Sequence, residues 1–568
     1  MKRRLTRREL IKYGMLGLGT LAAGGGGLYS LVSPRVRIAR ADEDVPRSPF
    51  TINAFSEALP IPPVVQPVTQ FTQACKLSSG SIFTSIPGLG TPKFYEIHMR
   101  KQMVQIIPFP GPKTEIWGYD GFYPGPTFRV NHNEPAIVRF FNDLGKDRHG
   151  LNIDTIVHNH GGHQSSESDG SPVDPNRFIH PGSFKDFCYP NIAPINPDPI
   201  HPNTGQQDTN DFASTQWYHD HFHEATGRNV YMGLAGFYLL TDSLEEGLIT
   251  SGTTARKLPA QDFDIPLVFQ DRVFAADGSL LFNPGEFDGV LGDVFVVNGK
   301  AQPFFHVQRR KYRFRILNGA DARWWEFRLR VQAGSVTSGL KFLQIGNDSW
   351  LLPFAISRDS IRLGLAERAD VIIDFAQVPL GANVFVDNVL QQTDGRIPDG
   401  VKLPGTPILK FIVDQPFNTH VADATIAQGQ TLRPHTAIAE NEIVKTRRFE
   451  FDSGGIGWVI NDEEFDPNRD DATPTINTAE RWILTNKGGD WAHPIHIHLE
   501  AHQIQKFNGS PPRVYNSFKK DTTPLLGDDE AEVFIRFRTF TGRYVFHCHN
   551  LQHEDRAMMA VLNVKKKV

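Results

Sequence analysis

An all-β chain of sandwich domains is the fold class this sequence predicts, on three observations. Aromatic residues make up 11% of the 568 residues, alongside 49 glycines and 40 prolines, a composition that favours short strands joined by turns over helices. Residues 136–141, 236–240, 265–269 and 371–375 are brief apolar runs bounded by turn residues, as in strands buried in a sandwich core. The length itself fits about three or four domains.

From the N-terminus, Thr6-Arg7-Arg8-Glu9-Leu10-Ile11-Lys12 precedes a glycine-rich apolar stretch, and Ala39-Arg40-Ala41 supplies small residues for cleavage. This reads as a twin-arginine export signal over residues 1–41, followed by an N-terminal extension at 42–89, and it implies a periplasmic or secreted protein. A retained membrane anchor is the competing reading, but the glycines lower the hydrophobicity of the run. Without residues 1–41, which hold nine Lys/Arg and one Asp/Glu, fifty basic residues face sixty-two acidic ones. Such an acidic surface argues against nucleic acid as a partner, and no stable membrane association is expected once the signal is removed.

Three H-x-H pairs follow along the chain: His158-Asn-His160, His219-Asp-His221 and, after His493-Pro-Ile, His496-Ile-His498. On an extended strand the i and i+2 side chains share a face, so each pair can offer two imidazoles to neighbouring metals. The last motif, His547-Cys548-His549 with His553 and Met558 after it, adds a thiolate and a thioether, the donor set of a blue-copper site. Residues 545–549 read as a strand, so Cys548 points to one face while His547 and His549 point to the other. Histidines decorating a buried strand would explain one such motif; four together, with the cysteine and the methionine, point to several metals.

Taken in order, these motifs resemble those of the multicopper oxidases, in the bacterial laccase and bilirubin oxidase branch. Ser168-Asp169-Gly170, Trp491-Ala-His493-Pro-Ile-His-Ile-His-Leu499 and His547-Cys-His-Asn-Leu-Gln-His-Glu-Asp555 agree in detail. So do Val297-Asn-Gly-Lys300, the segment from Arg310 to Asn318, Gln344-Ile-Gly-Asn347 and Ala366-Glu-Arg-Ala-Asp370 in the middle of the chain. The resemblance covers about residues 90–568 and implies three cupredoxin-like Greek-key sandwiches, at 90–245, 260–415 and 445–568. Residues 248–259 and 421–442 read as the joints, and a sequence repeat beyond the H-x-H habit is not evident.

The same resemblance implies four coppers per chain. His493, Cys548, His553 and Met558 would hold the type 1 copper, and His158 and His496 the type 2 copper. His160, His219, His221, His498, His547 and His549 would hold the type 3 pair. Met559 is the competing thioether and is expected to be packing. Asp169 and Glu554 match carboxylates that relay protons in the family, although Asp169 also fits a Ser-Asp-Gly turn and Glu554 could pair with Arg556. Trp491 matches a tryptophan beside the type 1 copper of bilirubin oxidases, on the donor side, with an apolar core role as the alternative. His163, His201, His223 and His502 match no ligand position. The expected reaction is one-electron oxidation of phenols, aromatic amines or bilirubin-like tetrapyrroles, coupled to reduction of dioxygen to water. The expected partners are therefore a small-molecule electron donor and O2, acting on a monomer.

A cuprous-ion oxidase is the alternative, though the chain has only seven methionines and no methionine-rich segment. A copper-free scaffold relative would not need the complete ligand set, nor would a copper nitrite reductase. Two departures from the family pattern stand out: an insertion over about residues 190–211, and Arg556-Ala557 ahead of Met558, where relatives more often carry an acidic residue. Cys75 and Cys188, outside the copper motif, form either a disulfide or two buried thiols.

Overall fold

The computed structural model describes residues 47–69, 86, 88–197, 205–250, 256–283, 287–454 and 457–567. The expected export signal, Cys75, His201 and the centre of the 190–211 insertion lie outside the described residues.

Six sheets pack face to face in three pairs. In the first pair, the sheet Thr114–Tyr119, Lys93–Val104, Ala136–Asn142, Phe184–Tyr189 faces the sheet Gly125–Asn131, Ala235–Thr241, Thr215–Asp220, Val157–His160, each in spatial order. Tyr95, Ile97 and Val138 from one sheet meet Phe128, Tyr218 and Tyr238 from the other in a single buried core. In the second pair a seven-stranded and a six-stranded sheet enclose Ile265, Phe314, Phe327, Val384 and Phe411. The third pair sets a six-stranded sheet against the four strands Thr522–Leu526, Ala492–Ile497, Gly542–Cys548 and Met559–Val564, around Phe449, Trp482, Val533, Ile495 and Phe546. All four apolar runs expected to be core strands are strands: Ala136–Asn142, Ala235–Thr241, Asp264–Arg272 and Arg368–Asp374.

Each pair repeats one topological device that the sequence hides. A parallel pairing joins Lys93–Val104 to Ala136–Asn142, Asp264–Arg272 to Lys311–Asn318 and Ile443–Gly454 to Thr478–Asn486. Parallel neighbours need a crossover rather than a hairpin, so the chain must pass to the facing sheet between them. That crossover produces a Greek-key sandwich from antiparallel-looking sequence. The N-terminal extension is bound across two of the sandwiches, through the bridges Ala58 to Phe304, Val64 to Thr127 and Val68 to Phe94, with Leu59 buried in the second core.

Candidate metal centre

The penultimate strand places the motifs. Gly542–Cys548 alternates its side chains, so Phe546 and Cys548 enter the core of the third sandwich, while His547 and His549 emerge on its other face. Residues 545–548 are strand as expected, and His549 sits one residue beyond it. Register then assembles the histidines: His496 stands opposite His547 and Ile495 opposite Cys548, and in the first sandwich His158 stands opposite His219.

Two pockets result, both closed to solvent. In the first, His493 Nδ1 lies 3.1 Å from His553 Nδ1, and both nitrogens lie 3.5 Å from Cys548 Sγ. Met558, fully buried, is pinned there by its backbone. Its carbonyl accepts from Cys548 N at 3.1 Å, and its own N–H donates to His553 O at 3.0 Å. Ala557, just ahead of it, takes a left-handed conformation with φ of 79°, which turns the chain back over the cysteine. Met559 begins the next strand, in register with His547. The indole of Trp458 covers His553 at 3.9 Å between ring centroids.

The second pocket gathers eight imidazoles from both outer sandwiches. His221, His498 and His547 converge, with His547 Nε2 at 3.2 Å from His221 Nε2 and 3.3 Å from His498 Nε2. His160, His219 and His549 form a second triplet, with ring centroids 5.2 to 5.8 Å apart. His158 and His496 face one another at 5.7 Å between centroids.

Their outward nitrogens are held by acceptors. His158 Nδ1 donates to Asp169 O at 2.5 Å, His219 Nδ1 to Asp220 O at 2.8 Å and His496 Nδ1 to Asp521 O at 2.8 Å. His498 Nδ1 donates to Asp169 Oδ2 at 2.7 Å and His547 Nδ1 to Cys548 O at 3.0 Å. An acceptor on one ring nitrogen fixes the proton there and leaves a lone pair on the other. Accordingly His158 Nε2, His160 Nδ1, His219 Nε2, His496 Nε2 and His549 Nε2 are buried without a hydrogen-bond partner among the described residues. Bare lone pairs crowded at such distances repel one another unless a cation lies between them. The donor sets fit copper: three neutral imidazole groupings for harder coppers, and two imidazoles with a thiolate and a thioether for a blue one.

Electrostatics agree. Burial lowers the pKa values of His158, His160, His221, His496, His498, His549 and His553 well below the usual imidazole value, and takes His219 to about 4 and His493 to about 3, so these imidazoles are neutral and available as ligands. Burial also pushes the Cys548 thiol up, which disfavours a bare thiolate and makes a bound cation the natural counter-charge.

Among the other expected site residues, Asp169 is fully buried with its Oδ1 3.4 Å from Gln164 Nε2. Burial raises its pKa well above the usual carboxylate value. The Ser-Asp-Gly turn is real as well: Gly170 has φ of +78°, and a Cβ there would meet Val157 O at 2.1 Å. Turn and site are thus one feature. Glu554 is buried and sets its oxygens 3.3 Å from His221 Nδ1 and 3.2 Å from His547 Nδ1; the guanidinium of Arg556 lies over Phe287. Trp491 is half-buried, donates from Nε1 to Asp288 Oδ1 at 2.8 Å and lies under the Arg396 guanidinium. His502 is a core residue, fully buried against Thr523.

Sequence reasoning missed Trp458, Asp521 and Arg368. No spacing rule links Asp521 to His160, 361 positions away, yet His160 Nε2 lies 3.1 Å from Asp521 Oδ1. The flanks of the 190–211 insertion are clamped to the third sandwich by Asp211 and Arg538, whose Nη2 lies at 2.5 Å. Cys188 is buried on the strand Phe184–Tyr189.

Known proteins resemble this chain in sequence and fold. Family models described as multicopper oxidase match residues 101–196 and 434–568. The chain is 33% identical to a bilirubin oxidase of Albifimbria verrucaria, over 90% of this chain and 81% of that one. It is 30% identical to a laccase of Bacillus stratosphericus, over 91% of this chain and all of that one. A crystal structure of a laccase from Pediococcus acidilactici superposes with a TM-score of 0.68 at 24% identity, covering 91% of this chain and 95% of that one, so the three sandwiches are cupredoxin-like. With two buried donor sets joined by one Cys-His pair of peptide links, and relatives matched along nearly its whole length, the chain belongs to the multicopper oxidases.

Proposed function

We propose that this chain is a laccase- or bilirubin oxidase-type enzyme that oxidises phenols, aromatic amines or bilirubin-like tetrapyrroles one electron at a time and reduces dioxygen to water. One observation carries the proposal: Cys548 lies in one pocket and its covalent neighbours His547 and His549 lie in the other. The names of the relatives, bilirubin oxidase and laccase, support the choice of donors. In this reading His493, Cys548, His553 and Met558 hold a type 1 copper, and His158 and His496 hold the type 2 copper. His160, His219 and His549 hold one type 3 copper, and His221, His498 and His547 the other. Four coppers held in this way would supply electron acceptance at the cysteine pocket and four-electron reduction of dioxygen at the histidine pocket.

The chain supplies the rest. The Cys548 side chain and the peptide links to His547 and His549 form an unbroken covalent path between the pockets. The Asp169 carboxyl, pushed towards its protonated form by burial, lies beside His498, and Glu554 faces His221 and His547, which supports a role for both in handing protons into the histidine pocket. His493 and His553 are fully buried while Trp491 is half-exposed and packs on the Trp458 ring that covers His553, which supports Trp491 as a donor-side residue. Residues 1–41 would direct the protein out of the cytoplasm.

The test is oxygen uptake by the copper-loaded full chain on adding a phenolic dye, bilirubin and, separately, cuprous ion. Uptake with the organic donors is the expected result. Uptake with cuprous ion alone would replace this reading with copper detoxification.

A further inference from the structure

The middle sandwich contributes none of the twelve candidate copper ligands, yet its Ala366-Glu367-Arg368-Ala369-Asp370 segment reaches the histidine pocket. Arg368, fully buried, grips Asp521 of the third sandwich with both arms: Nη1 to Oδ1 at 2.7 Å and Nη2 to Oδ2 at 2.5 Å. Its remaining donors are occupied, Nη2 by Ser349 Oγ at 2.5 Å, Nη1 by Ala366 O at 3.1 Å and Nε by Thr215 O at 3.3 Å. A guanidinium bound on every side has one orientation, and so has the carboxylate it forks.

Asp521 uses that orientation on two imidazoles. Oδ1 accepts from His160 Nε2 at 3.1 Å, and the backbone carbonyl accepts from His496 Nδ1 at 2.8 Å. Asp348 fixes the same stretch, accepting from Asp521 N at 3.1 Å and Thr522 N at 3.2 Å. The fit leaves no slack: a Cβ on Gly161, next to His160, would lie 2.1 Å from Ser349 Oγ and 2.8 Å from both Arg368 Nη2 and Asp521 Oδ2.

We propose that Arg368 is a positioning residue for the histidine pocket: acting through Asp521, it fixes the tautomer and ring orientation of His160 so that Nδ1 presents its lone pair to the bound copper. This inference rests on the reading of the histidines as copper ligands. The observation specific to it is that His160 differs from its neighbours. Its Nε2 is the nitrogen held by a carboxylate, and its Nδ1 is the buried one without a partner. A buried arginine serving only to join sandwiches would not need to end on a carboxylate shared with an imidazole.

The experiment compares copper-loaded wild type with Arg368→Met, Arg368→Lys and Arg313→Met, measuring copper per chain, the visible and near-ultraviolet spectrum, and thermal stability. Arg313 is an equally buried arginine paired with Glu245 and Asp370 rather than with Asp521, so its loss reports on ion-pair burial without breaking the Asp521 fork. Loss of an outer partner of a metal-ligating histidine weakens metal binding about 10- to 100-fold. In Arg368→Met the blue band should persist while the near-ultraviolet shoulder fades and copper per chain falls. Arg368→Lys, which keeps the charge but not the fork, should lie between it and wild type. Arg313→Met should lower stability with both spectral features intact. A full copper complement and an unchanged near-ultraviolet to blue ratio in Arg368→Met would overturn the proposal. If that variant does not fold, an unchanged ratio in Arg368→Lys would overturn it. Should wild type itself show neither band at full copper loading, the ligand reading fails first, and this inference falls with it.

Discussion

Asp169 illustrates how one residue combines a structural and a chemical task. Its backbone carbonyl orients His158, its carboxyl group orients His498, and complete burial raises the pKa of that carboxyl well above the usual range. Asparagine retains the carbonyl and an oxygen acceptor for His498 but has no proton to give. Asp169→Asn should therefore reduce turnover about 100-fold or more with the blue absorbance intact; stopped-flow turnover and a spectrum check it, and an unchanged turnover number would remove the proton role. Cys548→Ser separates the two pockets in the opposite sense. Copper per chain should fall by one and the blue band should vanish, while the near-ultraviolet shoulder persists, because no histidine of the second pocket loses an atom.

At the scale of the element, the strand Gly542–Cys548 joins core packing to metal geometry. Phe546 is fully buried, 4.6 Å from the Phe449 ring and 5.1 Å from Trp482 between centroids. Phe546→Ala should cost about 3–5 kcal/mol of stability, read as a lower denaturation midpoint, and should weaken the blue band because Cys548 lies two residues along the same face. This strand was legible in sequence because alternation and H-x-H spacing are local properties of the chain. Met558 was preferred to Met559 through the family resemblance, by its spacing from Cys548. What could not be read was whatever depends on register between distant elements: the pairing of His496 with His547, the Trp458 ring on His553, and the reach of Arg368 into Asp521. The parallel pairings that make each sandwich a Greek key were equally hidden, since they follow from crossovers and leave no repeat in the residues.

Across the whole molecule, burial shifts titratable groups in two opposing sets. His163, His493 and His502 are lowered to about 3 and His219 to about 4. Depressed histidines contribute stability above their unfolded value of about 6.5, and that contribution is lost as pH falls towards 4. Asp220 and Asp321 are raised to about 7 and Glu500 to about 8, chiefly by burial. Raised carboxyls contribute stability at low pH, and it is lost as pH rises through 7 to 8. The histidines outnumber the acids where the two windows overlap, so the metal-free protein should be most stable near pH 6.5 and fall away on both sides, as denaturant titrations across pH 4 to 9 would reveal. Copper that binds only the folded chain adds stability by mass action; because the histidine pocket draws on the first and third sandwiches together, chelation should lower the melting temperature of both in one transition.

Our proposal is that two buried donor sets, bridged by His547-Cys548-His549, hold four coppers of three kinds. Its most direct test is the visible and near-ultraviolet spectrum of the copper-loaded full chain, taken with a copper count. An intense blue band, a near-ultraviolet shoulder and four coppers per chain are the expected result; no blue band at full copper loading would contradict the assignment of Cys548 and its neighbours.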